Sequence, residues 1–334
     1  MGIRPKMKVS IHPSIVVVAV FCACMAGYGN EAQAQSAPLT QGKVYVTSWF
    51  GGAVSVIDLE SSRVTTTIPV GVHDHNVFLS PDRKFVWVTN NNDGTISVVD
   101  ATTDRVVKTL RTGNGPRHTV ISPDGKEAYV THEWDDSIVV IDPAEFRILG
   151  TVKVGNMPHF PMVVGDKLFV TNFGSGDVTV ILRSTREVIA TIPVGVGPLG
   201  AGMTRDGKHV YVACHGSNDV AVIDVDTRRV IAHVKTDPGP VQITVAPAQK
   251  HAYVATDGTG TVQKIDLATN QIVKTIRVGP GAGTHGITFA AGGKLVLVTN
   301  TGTSTVSVID TEHDEVLREI KVGTAPEGIA FRQP

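Results

Sequence analysis

The sequence is built from one strand motif that returns every 40 to 44 residues. Each copy is followed by a turn and by a second strand that ends near Ile-Asp, except the fourth, which reads Ile-Leu-Arg at 181–183. Four short strands separated by turn residues can be traced in the unit from Lys84 to Gly125. The seven copies are VYVTS from Val44, VWVTN from Val86, AYVTH from Ala128, LFVTN from Leu168, VYVAC from Val210, AYVAT from Ala252 and LVLVTN from Leu295. A period near 40 with four strands per unit is typical of a propeller blade, so we predict an all-β fold, a seven-bladed β-propeller of four-stranded blades.

The phase of the repeat predicts how the ring closes. The chain enters the repeat on a second strand, Lys43–Thr47, and finishes on a first strand, Gly328–Phe331. The C-terminal strand should therefore complete the blade that the N-terminal strand begins, which leaves no open sheet edge. We predict a propeller domain at 43–334, preceded by a polar lead-in at 35–42.

The first 34 residues have the pattern of a signal peptide. A basic start precedes the apolar run Ile15–Met25, and Ala32-Gln33-Ala34 supplies small residues for cleavage before Gln35. An uncleaved membrane anchor is the alternative, but the apolar run is shorter than the roughly 20 residues that a bilayer requires. We expect a periplasmic or secreted protein without a transmembrane span after cleavage.

Cysteine usage and charge narrow the possible partners. Cleavage would leave Cys214 as the only cysteine, so we expect no internal disulfide. It would also change the formal net charge from −1 to about −3, which does not favour nucleic acid or an anionic membrane as a partner. We expect a monomer whose partner is a small molecule or a periplasmic protein.

The repeated strand, which reads Trp87-Val88-Thr89-Asn90 in one copy and 169–172 as Phe-Val-Thr-Asn in another, resembles the YVTN family of β-propellers. The resemblance covers the whole chain after the predicted signal peptide and implies the propeller fold. It does not imply one function, because the family includes surface proteins, exported ligand-binding proteins and members of enzyme pathways.

Histidines gather on one predicted face, which we call the top face. It carries the loops that lead into each inner strand and the loops between the second and third strands of each unit. Seven of the 12 histidines lie on or beside these loops. The second residue of the inner strand should point into the central channel, and around the ring this position holds Glu327, His75, Arg117, His159, Leu199, Val241 and His285.

This column predicts a metal site. His285, Glu327 and His75 come from three consecutive blades, and His159 extends the polar arc; two imidazoles and a carboxylate suit a divalent transition metal such as copper, zinc, iron or manganese. A channel mouth that is merely hydrated is the alternative. The segment Val72–His75 departs from the Gly-Pro pattern of the other copies, so the sequence does not show whether His73 or His75 faces inward.

Other top-face residues are candidates for ligand binding or for a second metal site. The pair Cys214 and His215 joins a thiol to an imidazole, a combination that favours copper or zinc; the alternative is a buried cysteine that acts as a small apolar residue. Tryptophans in the loops stack on planar ligands or simply cover the blades. The candidate ligand-binding residues are Arg117, His118, His132, Glu133, Trp49 and Trp134.

Two functions remain open from the sequence. The first is an exported binding or accessory protein that holds a small ligand, a metal ion or a protein partner on its top face. The alternative is a metal-dependent periplasmic enzyme of lyase, lactonase or oxidoreductase type that uses the His/Glu rim of the channel. Streptogramin lyases, lactonases and denitrification enzymes with copper or haem are similar exported propellers, and they imply the second possibility by analogy of fold alone.

Overall fold

The computed structural model describes residues 39–334, so the predicted signal peptide at 1–34 and the first half of the lead-in, 35–38, lie outside the described residues. The described chain forms 28 strands and one short 3₁₀ turn, Ala291–Gly293. The strands of the first half are β1 Lys43–Ser48, β2 Ala53–Asp58, β3 Arg63–Pro69, β4 Asp74–Leu79, β5 Phe85–Asn90, β6 Thr95–Asp100, β7 Arg105–Arg111, β8 Pro116–Ile121, β9 Ala128–His132, β10 Ser137–Asp142, β11 Arg147–Lys153, β12 Pro158–Val164, β13 Lys167–Asn172 and β14 Asp177–Leu182. Those of the second half are β15 Glu187–Pro193, β16 Pro198–Met203, β17 His209–Cys214, β18 Asp219–Asp224, β19 Arg229–Lys235, β20 Pro240–Val245, β21 His251–Thr256, β22 Thr261–Asp266, β23 Gln271–Arg277, β24 Thr284–Ala290, β25 Leu295–Asn300, β26 Thr305–Asp310, β27 Glu315–Lys321 and β28 Pro326–Arg332. No helix in 39–334 has the length and apolar character needed to cross a membrane.

The strands form seven antiparallel four-stranded sheets, and each sheet is one blade of the ring. Blade 1 combines β28 with β1, β2 and β3, and Tyr45 pairs with Ala330 across the junction. The predicted seven-bladed fold is confirmed, including closure of the ring by the C-terminal strand. Blades 2 to 7 each take four consecutive strands, starting from β4, β8, β12, β16, β20 and β24.

The hydrophobic core lies between blades rather than at a single centre. Residues 39–334 contain seven apolar clusters, and each cluster joins two neighbouring blades. The second and third strands of each blade are almost completely buried, because both of their faces contact another blade. This explains why these strands are apolar on both faces and not on alternate residues. The inner strands β28, β4, β8, β12, β16, β20 and β24 surround the central channel.

Candidate functional site

Every inner strand has a β-bulge directly after its first residue. In β8, Pro116 pairs with His132 and Thr119 pairs with Val130, so that Arg117 and His118 together oppose one residue, Thr131. A bulge re-aims side chains that strict alternation would send to opposite faces. As a result, two consecutive residues of an inner strand reach the channel mouth.

The threonine of the repeated strand motif holds this bulge in place. Thr131 Oγ1 accepts a hydrogen bond from the His118 N–H at 3.0 Å and donates one to the His159 carbonyl of the next blade at 2.8 Å. The same two bonds recur at Thr47, Thr89, Thr171 and Thr299. A residue of the strand motif therefore positions the channel-facing residues of two neighbouring blades.

Three buried histidines meet at the top of the channel. The ring centroids of His75 and His118 are 4.9 Å apart, those of His75 and His159 5.6 Å, and those of His118 and His159 4.6 Å. Each offers one ring nitrogen, and the three nitrogens lie within 4.8 Å of one another. The side chains are 1%, 4% and 3% exposed, so they form a closed cluster that we call the histidine triad.

The triad is neutral and has ring nitrogens without hydrogen-bond partners. Burial lowers the pKa of all three imidazoles well below the usual value, and the positive charge of Arg117 acts in the same direction. His75 Nε2, His118 Nδ1 and His159 Nδ1 have no hydrogen-bond partner among the described residues. Buried polar atoms normally have partners, and three neutral imidazoles with one nitrogen each within 4.8 Å of the others are a ligand set for a transition metal.

Glu327 and His285 flank the triad. The Glu327 carboxylate is hydrogen-bonded to His75 Nδ1, which leaves Nε2 as the free nitrogen of that ring. Burial lowers the pKa of His75, which keeps this ring uncharged, and burial also raises the pKa of Glu327. The His285 ring lies 6.0 Å from that of His75, and its Nδ1 also lacks a partner in the described chain.

Gln242 reaches His118 from the opposite side of the ring. Its Nε2 lies 3.5 Å from His118 Nε2, although the two residues belong to blades 6 and 3. Space for this side chain comes from Gly200, where a Cβ atom would lie 2.3 Å from Gln242 Oε1. The two ends of the Gln242 amide group are interchangeable by a rotation of 180°. In the rotated orientation, Oε1 accepts a hydrogen bond from the Nε2–H group of a neutral His118 ring, and Nδ1 is then the nitrogen without a hydrogen.

Aromatic and charged residues cover the triad on the top face. The Trp49 ring stacks on His73 at 4.7 Å and presents an edge to His75 at 5.6 Å. The Arg117 guanidinium lies over the same Trp49 ring, and its Nε is 3.0 Å from Glu133 Oε2. His75 thus faces the channel, whereas His73 lies on the rim.

A cavity of about 360 Å³ extends from the triad along the inner strands. His75, His118, His285, Glu327 and Gln242 line its upper end. The volume is at the lower end of the range of small-molecule sites. The arrangement therefore combines a candidate metal centre with space for a small ligand beside it.

Four candidate site residues lie outside the histidine triad, the residues that cover it and the lining of the cavity: His132, Trp134, Cys214 and His215. His132 is buried within blade 3, where Nδ1 contacts the Val130 carbonyl at 3.2 Å and Nε2 contacts Thr112 Oγ1 at 3.0 Å. Trp134 is 56% exposed on the top face and lies over Gly115, where a Cβ would be 2.8 Å from the indole.

Cys214 and His215 do not converge on one point. The Cys214 thiol is buried among apolar side chains, and this burial raises its pKa to about 12, so it is not a ready thiolate ligand. His215 instead pairs with Asp257 at 3.2 Å on the top face, and the hydrogen bond raises the pKa of His215.

Comparison with known proteins agrees with this architecture. Residues 40–239 match the family model "Lactonase, 7-bladed beta-propeller", and residues 205–329 match the model "Cytochrome D1 heme domain". No curated protein matches the sequence.

Solved structures share the fold at low sequence identity. Hydrazine synthase of Kuenenia stuttgartiensis is 18% identical, with a TM-score of 0.71 over 78% of this chain and 95% of that one. A protein of unknown function from Desulfotomaculum acetoxidans is 14% identical, with a TM-score of 0.77 over 88% and 99% of the two chains. Dihydro-heme d1 dehydrogenase NirN in complex with DHE is 16% identical, with a TM-score of 0.68 over 89% and 76%. Since the first family model spans more than half of the sequence, the chain belongs to the lactonase family of seven-bladed β-propellers.

Proposed function

We propose that this propeller is an exported metal-dependent enzyme that holds a divalent transition metal on His75, His118 and His159 and hydrolyses an ester or lactone. The observation that carries the proposal is the histidine triad: one nitrogen of each ring lies within 4.8 Å of the other two, and each ring has a buried nitrogen without a hydrogen-bond partner among the described residues. Membership of the lactonase family supports the reaction class. Three histidine ligands leave a coordination position open for substrate or water, as in catalytic zinc sites.

The residues of this chain have distinct parts in the proposed reaction. Bound metal supplies Lewis acidity toward a substrate carbonyl and lowers the pKa of water. Glu327 accepts a hydrogen bond from His75 Nδ1, which fixes the tautomer and orients Nε2 toward the site. Gln242 orients His118 in the same way. Trp49 and the Arg117–Glu133 pair shield the cluster from water on the top face.

Export is part of the proposal. The signal-peptide pattern at 1–34 supports a periplasmic or secreted location, and the single cysteine left after cleavage is compatible with an oxidising compartment. The substrate is a small molecule, in agreement with the size of the cavity, and neither nucleic acid nor a second subunit is required.

Metal analysis and hydrolysis assays test the proposed function together. We expect untagged protein from the periplasm to contain close to one equivalent of zinc, copper, iron or manganese by plasma mass spectrometry. Removal of the metal by dipicolinate should lower kcat/KM for γ- and δ-lactones by about 100-fold or more, and addition of metal should restore it. Protein that remains free of metal after incubation with these ions would overturn the proposal.

The threonine bridge allows a matched test of ligand positioning. Thr131→Ala removes the hydroxyl that joins His118 to His159, and Thr299→Ala removes the equivalent hydroxyl between Gly286 and Glu327, at a bulge that carries no triad residue. Each change should lower the free energy of unfolding by about 1–3 kcal/mol, because a buried amide and carbonyl lose a partner. Thr131→Ala should also weaken zinc binding by about 10–100-fold in a chelator competition, and by more than Thr299→Ala does. Equal zinc affinities of the two variants would contradict the assignment of the site.

Tetrapyrrole binding is a second candidate function, favoured by the match of residues 205–329 to a cytochrome d1 haem domain model. The matched segment includes His285 and Gln242, which line the cavity. Titration of metal-free protein with haemin distinguishes the two functions. A Soret shift that saturates at one equivalent and disappears in His285→Ala would favour the tetrapyrrole, whereas an unchanged spectrum would remove this candidate.

A further inference from the structure

The cavity below the triad runs toward the face opposite to the top-face loops, which we call the bottom face. Its lining follows the inner strands from their second residue, as at His75 and His285, to their sixth, as at Met203 and Val245. Four residue steps of a strand at about 3.3 Å each correspond to a length of about 13 Å. The cavity is therefore a narrow tube along the propeller axis.

The upper end of this tube is blocked. His75 and His118 line the cavity, whereas His159, Arg117 and the top-face loop residues do not. Trp49 stands with its edge toward His75, and Arg117 lies over Trp49 while it is paired with Glu133. A molecule on the top face would have to displace this cover to reach the free nitrogens.

The lower end leads toward solvent. Met203 is the last residue of β16, is 37% exposed and directly precedes the bottom turn that Gly207 closes onto Thr204. Between the triad and Met203 the cavity is lined mainly by apolar residues such as Phe78 and Phe160, with Asn76, Thr244 and Thr288 as polar residues among them. The tube thus has a polar end at the histidines inside the protein and a passage of mainly apolar residues to the bottom face.

We propose that the substrate enters through the bottom face and is a carbonyl compound with a slender apolar body, whose carbonyl group reaches the triad while the body lies along the tube. This inference rests on the proposed function, since the metal would bind the carbonyl end. A bottom-face entrance accepts different molecules from an entrance at the top-face loops. Its narrow, mainly apolar passage selects an extended chain and excludes bulky or highly charged molecules.

Linear alkyl carboxylates from acetate to decanoate are suitable probes. Calorimetric titration of zinc-loaded and zinc-free protein separates the binding of the alkyl chain in the tube from the binding of the carboxylate by zinc. We expect affinity to rise about fourfold for each methylene group until the chain exceeds the tube, in both forms of the protein. Zinc should add about tenfold or more for every chain length, because it binds the carboxylate.

Variants at the lower end locate the entrance. In Met203→Trp, the affinity for the carboxylates should stop increasing at a shorter chain length than in the wild type; Val245→Phe replaces this variant if it does not fold. Met203→Leu should behave as wild type. Phe50→Ala on the top face, where Phe50 is 70% exposed, should leave the series unchanged. An affinity that does not depend on the chain length of the carboxylate would overturn the inference. So would a chain-length dependence that Phe50→Ala changes and Met203→Trp does not. Equal affinities with and without zinc would instead count against the proposed function and leave the route of entry standing.

Discussion

Replacement of His118 by alanine is expected to reduce zinc affinity by more than about 100-fold. This loss is larger than the roughly 10–100-fold loss that is typical when a residue hydrogen-bonded to a metal ligand is changed. His118 Nδ1 is one of the three free nitrogens of the triad, and the remaining two imidazoles cannot hold the ion alone. Competition with a chromophoric chelator at pH 7.5 measures the change. Substitution of a buried, uncharged imidazole by a smaller apolar side chain leaves no unpaired charge, so the variant should fold.

Two neighbouring residues provide the controls for this experiment. His285→Ala should change zinc affinity by less than about tenfold, because this residue is not one of the triad. Glu327→Gln should fall between the two variants, since Glu327 acts through its hydrogen bond to His75. The opposite order, with large losses for His285→Ala and Glu327→Gln and none for His118→Ala, would favour the rim of His285, Glu327 and His75 that the sequence predicts.

Acidification from pH 7.5 to pH 5 should destabilise the zinc-free protein, and about 2 kcal/mol of this loss should come from His132 alone. Burial lowers the pKa of His132 to about 4, whereas an unfolded histidine titrates near 6.5. Between these values the unfolded chain binds more protons than the folded chain, so a fall in pH favours unfolding. The contribution is complete above about pH 6.5 and is lost as the pH falls toward 4.

His132→Asn isolates this effect, because the chain places asparagine at the equivalent position of other blades, as at Asn90, Asn172 and Asn300. Urea denaturation at the two pH values gives the free energies of unfolding. The buried triad histidines destabilise both proteins at low pH, so the difference between wild type and variant reports His132. An equal loss of stability in the two proteins would show that His132 does not titrate in this way.

The architecture could be predicted from the sequence because it depends on local patterns. The strand motif, its 40 to 44 residue period and the phase of the first and last strands determine the number of blades and the closure through β28 and β1. Each blade repeats the same contacts with its neighbours, so a pattern visible in one copy applies to all. The family membership agrees with this fold, whereas the YVTN name rests on the strand motif alone.

The site could be predicted only in part. The column of second residues in the inner strands brought His75, His159, His285 and Glu327 to notice, and the structure groups them at the channel mouth. His118 was a candidate for ligand binding but not for the metal, since a regular strand would turn it away from the channel. The bulge opposite Thr131 places it in the triad.

By itself, the sequence determined the number of blades, the way the ring closes and the blade ends at which histidines accumulate, because strand periodicity and turn residues act within about 40 residues. Only the tertiary structure decided which nitrogens face one another. The shift of register at each bulge, the contact of Gln242 with His118 across the channel and the burial that keeps the triad neutral all depend on residues from different blades. Distances of this kind arise when seven sheets pack around one axis, and no single repeat contains them.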